Sequence, residues 1–225
     1  MRIATWNLHE AVGVDGRCLP ARIARVLAEL DADLVALQEF SPRRGTVDEL
    51  AGLLERATGA TLVVMPTFLK RGRLFGNALL SRLPIVSIEA HDIAVQRREP
   101  RNAVDARVDW DGQPLRVLAT HLGLRRAERI GQVERLGALL EQGDASTVLL
   151  GDFNEWRLRG CLAPLERRLV RVPAPATFPA PYPLARLDRL YVSPHLRVSH
   201  VRAHRSRSAA VASDHLPLVA TIEPA

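Results

Sequence analysis

Apolar positions recur at two spacings along the chain, and the spacing separates strands from helices. Residues 2–8 (RIATWNL) alternate and read as a strand, followed by a Gly-rich loop, HEAVGVDGR. Ile23, Val26, Leu27 and Leu30 fall at helical spacing behind Pro20, a residue suited to a first helical turn. Residues 33–40 (DLVALQEF) form a short apolar run that reaches Gln38 and Glu39, the pattern of a buried strand. Residues 46–57 read as a helix. ATLVVMP and GNALLS read as strands, with TFLKRGRLF as the loop between them. PIVSIEAHDI and RNAVDARVDW follow as strands, and Asp111-Gly112 signals a hairpin into QPLRVLATHL. Residues 124–142 give the clearest helix, with Ile130, Val133, Leu136 and Leu140 on one face. STVLLGDFN is the next strand, and a short helix is expected near residues 160–168. Residues 171–184 (RVPAPATFPAPYPL) hold too many prolines for an inner strand or a helix interior and read as a surface loop. RLDRLYVS, RVSHVRAH and HLPLVATIE read as the closing strands.

The sequence shows no linker, low-complexity tail or short-period repeat, so one domain over residues 1–225 is expected. A looser echo is present: strand, helix, then apolar strand ending in acid, at residues 2–39 and again at 115–152. Two such units suggest two sheets in one core with their acids at a common rim, and an α/β class rather than a bundle. No apolar run approaches the roughly 18 residues of a membrane-spanning helix. The first ten residues lack a signal-peptide pattern, so a cytoplasmic monomer is expected. Cys18 and Cys161 are too few and too far apart for a zinc site or a disulfide framework and read as reduced. The net charge of +6 favours an anionic partner. Lys70 is the only lysine, so the excess is carried by arginine, whose planar fork matches phosphate. Gene composition is the other source of such a skew.

The strand ends carry the chemistry. Asn7, Glu39, His121, Asp152 with Asn154, Asp188, and Asp214 with His215 close or flank six separate apolar segments. One such residue is an ordinary turn or cap. Six are a pattern, because every residue is an oxygen or imidazole donor. Alternation along a strand points Asp152 and Asn154 to the same side. Magnesium takes oxygen ligands and keeps several waters, so one or two carboxylates and a substrate phosphate suffice. A carboxylate and amide can hold an attacking water, and imidazoles can neutralise charge that develops on phosphorus. Together they describe metal-assisted attack of water on a phosphoester.

TWN (5–7), LQE (37–39), THL (120–122), GDFN (151–154), RLDRLYVS (186–193) and SDHLPL (213–218) stand in the order of the endonuclease/exonuclease/phosphatase (DNase I-like) superfamily, which the chain resembles from residue 2 to about 222. The resemblance implies a four-layer α/β sandwich of two packed mixed sheets flanked by helices. It implies Glu39 as the main Mg²⁺ ligand, with Asn7 close by and Asp214 as a further ligand, and Mn²⁺ as a substitute ion. It implies Asp152 as the group that activates water, Asn154 as the group that positions it, and His215 as the imidazole on the scissile phosphate with Asp188 as its partner. His121 resembles the second phosphate-contacting histidine of DNase I-like members. The family often places a phosphate-facing arginine on a strand such as REPRNAV, which implies Arg101 as a substrate contact, against a solvated ion pair with Glu99 as the plainer reading. Asn77 in FGNALLS sits at a strand start similar to the family's, which implies a substrate contact, against a strand-entry cap.

The expected activity is Mg²⁺-dependent hydrolysis of phosphodiester bonds in nucleic acid. Phospholipid head groups or phosphorylated small molecules are the alternative substrates, and a non-catalytic phosphate-binding module is the alternative class. His9 and Glu10 read as loop packing, Trp6 and Trp156 as packing rather than stacking, and Arg43 and Arg44 as wet surface. The basic segments 70–73 and 202–207 are the best nucleic-acid patches, and the Pro-rich loop is the place for the far side of a substrate.

Overall fold

The computed structural model describes residues 1–142, 146–157 and 160–224. The first unit is β1 (Arg2–Asn7), α1 (Pro20–Leu30) and β2 (Leu34–Phe40), with β1 and β2 parallel from Ile3 opposite Leu34 to Asn7 opposite Gln38. Then come α2 (Val47–Thr58), β3 (Thr61–Lys70), β4 (Arg73–Ser81), β5 (Ile85–Asp92) and β6 (Asn102–Trp110). The second unit is β7 (Gln113–His121), α3 (Arg126–Leu140) and β8 (Ser146–Asp152), again parallel, and it ends with His121 opposite Asp152. The chain continues through β9 (Val170–Arg171), β10 (Asp188–Val192), β11 (Leu196–Ala203), α4 (Ala209–Ala212) and β12 (Leu218–Pro224).

Among the described residues the strands make two six-stranded mixed sheets, β11-β12-β1-β2-β4-β3 and β5-β6-β7-β8-β10-β9. The echo in the sequence is real: each sheet has one parallel β-α-β pair at its centre and antiparallel neighbours on either side. Between the sheets lies an apolar layer that includes Ile3, Leu34, Ala36, Leu79, Val117, Val148, Leu150 and Leu218. The outer face of the first sheet buries against α1 through Ile23, Leu27 and Leu30 and against α2 through Leu50 and Leu54. The outer face of the second packs on α3 through Val133, Leu136 and Leu140. The result is the four-layer DNase I-like sandwich.

Local chemistry sets several boundaries. Thr46 and Glu49 form a reciprocal capping box at the start of α2, satisfying two otherwise free N–H groups, and Gly59 ends the helix at φ 68°. The helix expected at 124–142 spans Arg126–Leu140, and the one expected near 160–168 is a 3₁₀ turn at Ala163–Arg167. The segment TFLKRGRLF is a hairpin rather than a loop. Only Arg71 and Gly72, at φ 52° and 76°, turn the chain, so strand pairing runs on through Phe68–Phe75 and Lys70–Arg73. Lys70 Nζ lies 4.3 Å from the Phe75 ring centre and 3.0 Å from Glu10 Oε1, Arg73 Nη2 lies 3.6 Å from Glu10 Oε2, and Arg71 is exposed. Among the described residues no helix is long and apolar enough to cross a membrane.

Gly151 is required by a close approach. A Cβ there would stand 1.9 Å from the Thr120 carbonyl oxygen on the paired strand β7. Gly151→Ala must therefore push β7 and β8 apart where their functional side chains begin. It is expected to lower stability by about 2 kcal/mol or more, measured by urea unfolding; wild-type stability in this variant would show that the strands yield freely.

Candidate active site

Parallel pairing sends the C-terminal ends of β1 and β2 to one edge, and those of β7 and β8 likewise. These ends carry Asn7, Glu39, His121 and Asp152. Strand β10 runs antiparallel to β8, so its first residue, Asp188, lies opposite Asp152. The loop before β12 brings Asp214 and His215. Glu39 sits where the β2–β4 register shifts between Leu37 and Phe40, with φ 51°; the bulge frees its side chain from strict alternation.

Asp152 is at the centre and is only 1% exposed. Its Oδ2 accepts from Asn7 Nδ2 at 3.1 Å, and its Oδ1 accepts from the Asn154 backbone N–H at 2.9 Å. His121 Nε2 and His215 Nε2 lie 3.5 and 3.6 Å from Oδ2. The same Asn7 Nδ2 reaches Glu39 Oε1 at 3.3 Å. Asn7 is aimed by both neighbours: its Oδ1 accepts from His9 N–H at 2.9 Å, and its carbonyl accepts from Ser213 Oγ at 2.7 Å. Asn154 Nδ2 donates to the Leu122 carbonyl at 2.9 Å and lies 3.1 Å from His121 Nε2.

The two imidazoles are held in opposite states. Burial alone would pull His215 down, but the Asp188 and Asp152 carboxylates outweigh it and push its pKa up to about 10. Its Nδ1–H donates to Asp188 Oδ2 at 2.9 Å, and Thr177 Oγ1 donates to the same oxygen. His121 goes the other way: burial first, then Arg101 and His215, drive it well below the ordinary histidine value. As a neutral ring its Nε2 accepts from Asn154. Burial raises Asp152, against the pull of His215, to about 6.

The donor set fits a hard cation. Glu39, Asp152 and Asp214 offer carboxylate oxygens, and Asn7, whose Nδ2 faces Glu39 and Asp152 here, carries an amide oxygen that accepts from His9 N–H. Both thiols lie elsewhere: Cys161 is hydrogen-bonded to Glu155, and Cys18 reaches the Glu10 carbonyl at 4.0 Å. Glu89, His91 and Asp105 form a separate group whose ligand-capable atoms lie within 4.8 Å of one another. That group shares no residue with the strand-end cluster, and its Asp105 is already held bidentately by Arg116.

Three expected residues stand further out. Asp214 accepts from Ser213 Oγ at 3.3 Å and lies 3.8 Å from His9 Nδ1, rather than against Glu39 or Asn7. Arg101 is buried; its Nη1 pairs with Glu99 at 2.8 Å, and its charge acts on His121. Asn77 is mid-strand in β4, not a strand-start cap, and its Nδ2 donates across the sheets to Asn102 Oδ1 at 2.8 Å.

The sequence reading passed over Thr177 and Glu155. Thr177 lies in the Pro-rich loop, where no periodicity marks it. Glu155 follows Asn154 directly and looks like one more loop acid. Its Oε1 accepts from Arg157 N–H at 3.0 Å, and its Oε2 from Cys161 N–H at 3.3 Å, Cys161 Sγ at 3.1 Å and Arg129 Nη2 at 3.3 Å. It ties down the loop that leaves the site.

Residues 4–215 match the model of the Endonuclease/Exonuclease/phosphatase family. A stretch of 158 residues is 39% identical to the uncharacterized protein YbhP of Escherichia coli (strain K12), covering 65% of this chain and 62% of that protein's length. The fold superposes on a functionally unknown conserved protein from Enterococcus faecalis V583 with a TM-score of 0.84 at 18% identity, covering all of both chains. It superposes on an endonuclease/exonuclease/phosphatase from Beutenbergia cavernae DSM 12333 with a TM-score of 0.79 at 26% identity, over all of this chain and 71% of that one.

Glu155 gives a pH test of the loop anchor. Burial alone would raise its carboxyl, but its four donors outweigh that and hold it at about 2, against an ordinary 4.5. A depressed folded value stabilises the fold above pH 4.5 and loses that stabilisation as pH falls toward 2, a swing of about 3 kcal/mol. Glu155→Gln is expected to be less stable than wild type at pH 7 and to lose less stability over that acid range in urea unfolding. An unchanged acid profile would refute the anchor.

Proposed function

Because the chain belongs to the endonuclease/exonuclease/phosphatase family, we propose that it is a Mg²⁺-dependent phosphoesterase that hydrolyses phosphodiester bonds, with nucleic acid as the substrate class. One observation carries this reading: the Oδ2 of a buried carboxylate, Asp152, is met by the Asn7 amide, which also reaches Glu39, and by two imidazoles. The net charge of +6 supports a polyanionic substrate.

In this reading Glu39 and Asn7 would hold the cation, with Asp214 as a further ligand, and Mn²⁺ would substitute for Mg²⁺. The bound cation supplies charge neutralisation at the phosphate. Asp152 takes the proton of the attacking water, a task suited to a carboxylate raised toward neutral pH. Asn154 positions that water. His215 stays cationic through neutral pH and donates through Nε2 to a phosphate oxygen, while Asp188 and Thr177 fix its ring. Neutral His121 lines the other side. Arg101 contacts the phosphate, and Asn77 supports the strand that follows Arg101 through Asn102.

Purified protein is expected to cleave plasmid DNA, abasic oligonucleotide or RNA with added Mg²⁺ or Mn²⁺, and to stop on chelation. Glu39→Gln should need a higher metal concentration and recover part of its rate there. His215→Gln should keep the wild-type metal requirement while kcat falls about 100-fold. An equal shift of metal requirement in both variants would contradict these roles. Chelator-insensitive turnover, or none with any phosphoester, would remove the proposal.

A further inference from the structure

The loop that leaves Asn154 exposes Trp156, which is 67% accessible, whereas Trp6 is fully buried with Nε1 donating to the His215 carbonyl at 2.8 Å. Packing does not account for Trp156. Its ring stands edge-on to Phe178 with centroids 5.9 Å apart, and Phe178 lies 4.9 Å from the His215 ring. The three rings form a ladder from the phosphate-facing imidazole to the surface.

Beyond the ladder is a groove of about 300 Å³ lined by Trp156, Ala176, Leu184, Ala185, Arg186 and Arg189. A second hollow of about 350 Å³ shares Arg186 and Arg189 and runs on to Arg171 along the proline segment 173–175. Arg189 is buried and donates to the Glu155 and Arg157 carbonyls, so it builds the wall. Arg186 is exposed at the junction of the two hollows. Tyr182 and Leu184, 81% and 84% accessible, crown the same Pro-rich hairpin. Each volume is at the lower end of the roughly 300–1,000 Å³ typical of small-ligand pockets.

We infer that this groove is a nucleotide subsite beside the scissile phosphate: Trp156 stacks a base, and Arg186 meets the next phosphate along. A flat aromatic face and a guanidinium a short way off suit a ring joined to an anion. A proline-rich wall keeps the groove from closing when empty. The inference rests on the proposed phosphodiesterase reading and places a nucleotide in the groove beside Trp156.

Binding can be read without turnover, in EDTA and with Asp152→Asn. Trp156 is the exposed tryptophan, so its fluorescence reports occupancy. Thymidine 5′-monophosphate and tetrathymidylate are both expected to quench it saturably, with the strand tighter if Arg186 meets a second phosphate. Deoxyribose 5-phosphate should not quench it at the same concentration. With fluorescein-labelled tetrathymidylate, anisotropy should show Trp156→Ala about tenfold weaker and Trp156→Phe near wild type. Arg186→Ala should be weaker with a shallower salt dependence. Circular dichroism checks that each variant is folded. The proposal falls if deoxyribose phosphate binds as well as the nucleotides, if Trp156→Ala binds like wild type, or if only phosphatidylcholine–phosphatidylglycerol vesicles shift the emission. Quenching by nucleotides without cleavage of any phosphoester would leave the subsite standing and remove the enzyme reading. Metal-dependent cleavage with no difference between nucleotides and deoxyribose phosphate would do the reverse.

Discussion

Asn7 Nδ2 donates to Asp152 Oδ2 across the gap between the two sheets, and the rest of the site is arranged around that contact. A carboxylate this deeply buried is costly unless donors and opposite charge surround it. The second sheet supplies one donor of its own, the Asn154 N–H. The rest comes from the first sheet and the loop that leads back into it, as the Asn7 amide and the His215 cation. Each sheet thus completes the other's polar edge. The apolar layer between them sets their spacing, and a slip of either strand pair would strand a charge.

The same arrangement divides two chemically identical side chains. Both rings lie near Asp152, but His215 also has Asp188 against its Nδ1 and is pushed up, whereas burial, Arg101 and His215 itself push His121 down. Neither difference comes from the residue type. It comes from which strand edge each ring occupies and which neighbour the fold delivers there.

Much of this was legible in the sequence because strand ends are. Alternation found the strands, and polar residues closing them marked Asn7, Glu39, His121, Asp152, Asp188 and His215, which the fold then gathers. The repeated strand–helix–strand pattern announced two sheets. What failed to show lacked a period. Thr177 and Glu155 sit in loops, where a side chain's partners depend on tertiary neighbours. The basic run 70–73 concealed a hairpin, because the Glu10 that neutralises it lies 60 residues upstream of Lys70. Trp6 and Trp156 read alike along the chain, yet one is a core residue and the other stands in solvent.

Strand β12 enters the first sheet between β11 and β1, and the Met1 amine bonds the Ile222 carbonyl 221 residues away. During synthesis, therefore, β1 keeps an open edge until β12 is available to pair with it. His215 emerges just ahead of that last strand. A nascent chain already holds Asn7, Glu39 and Asp152, but it has neither the imidazolium that offsets the buried acid nor the strand that seats it. Pairing of β12 with β1 and completion of the polar surroundings of Asp152 are thus coupled in folding.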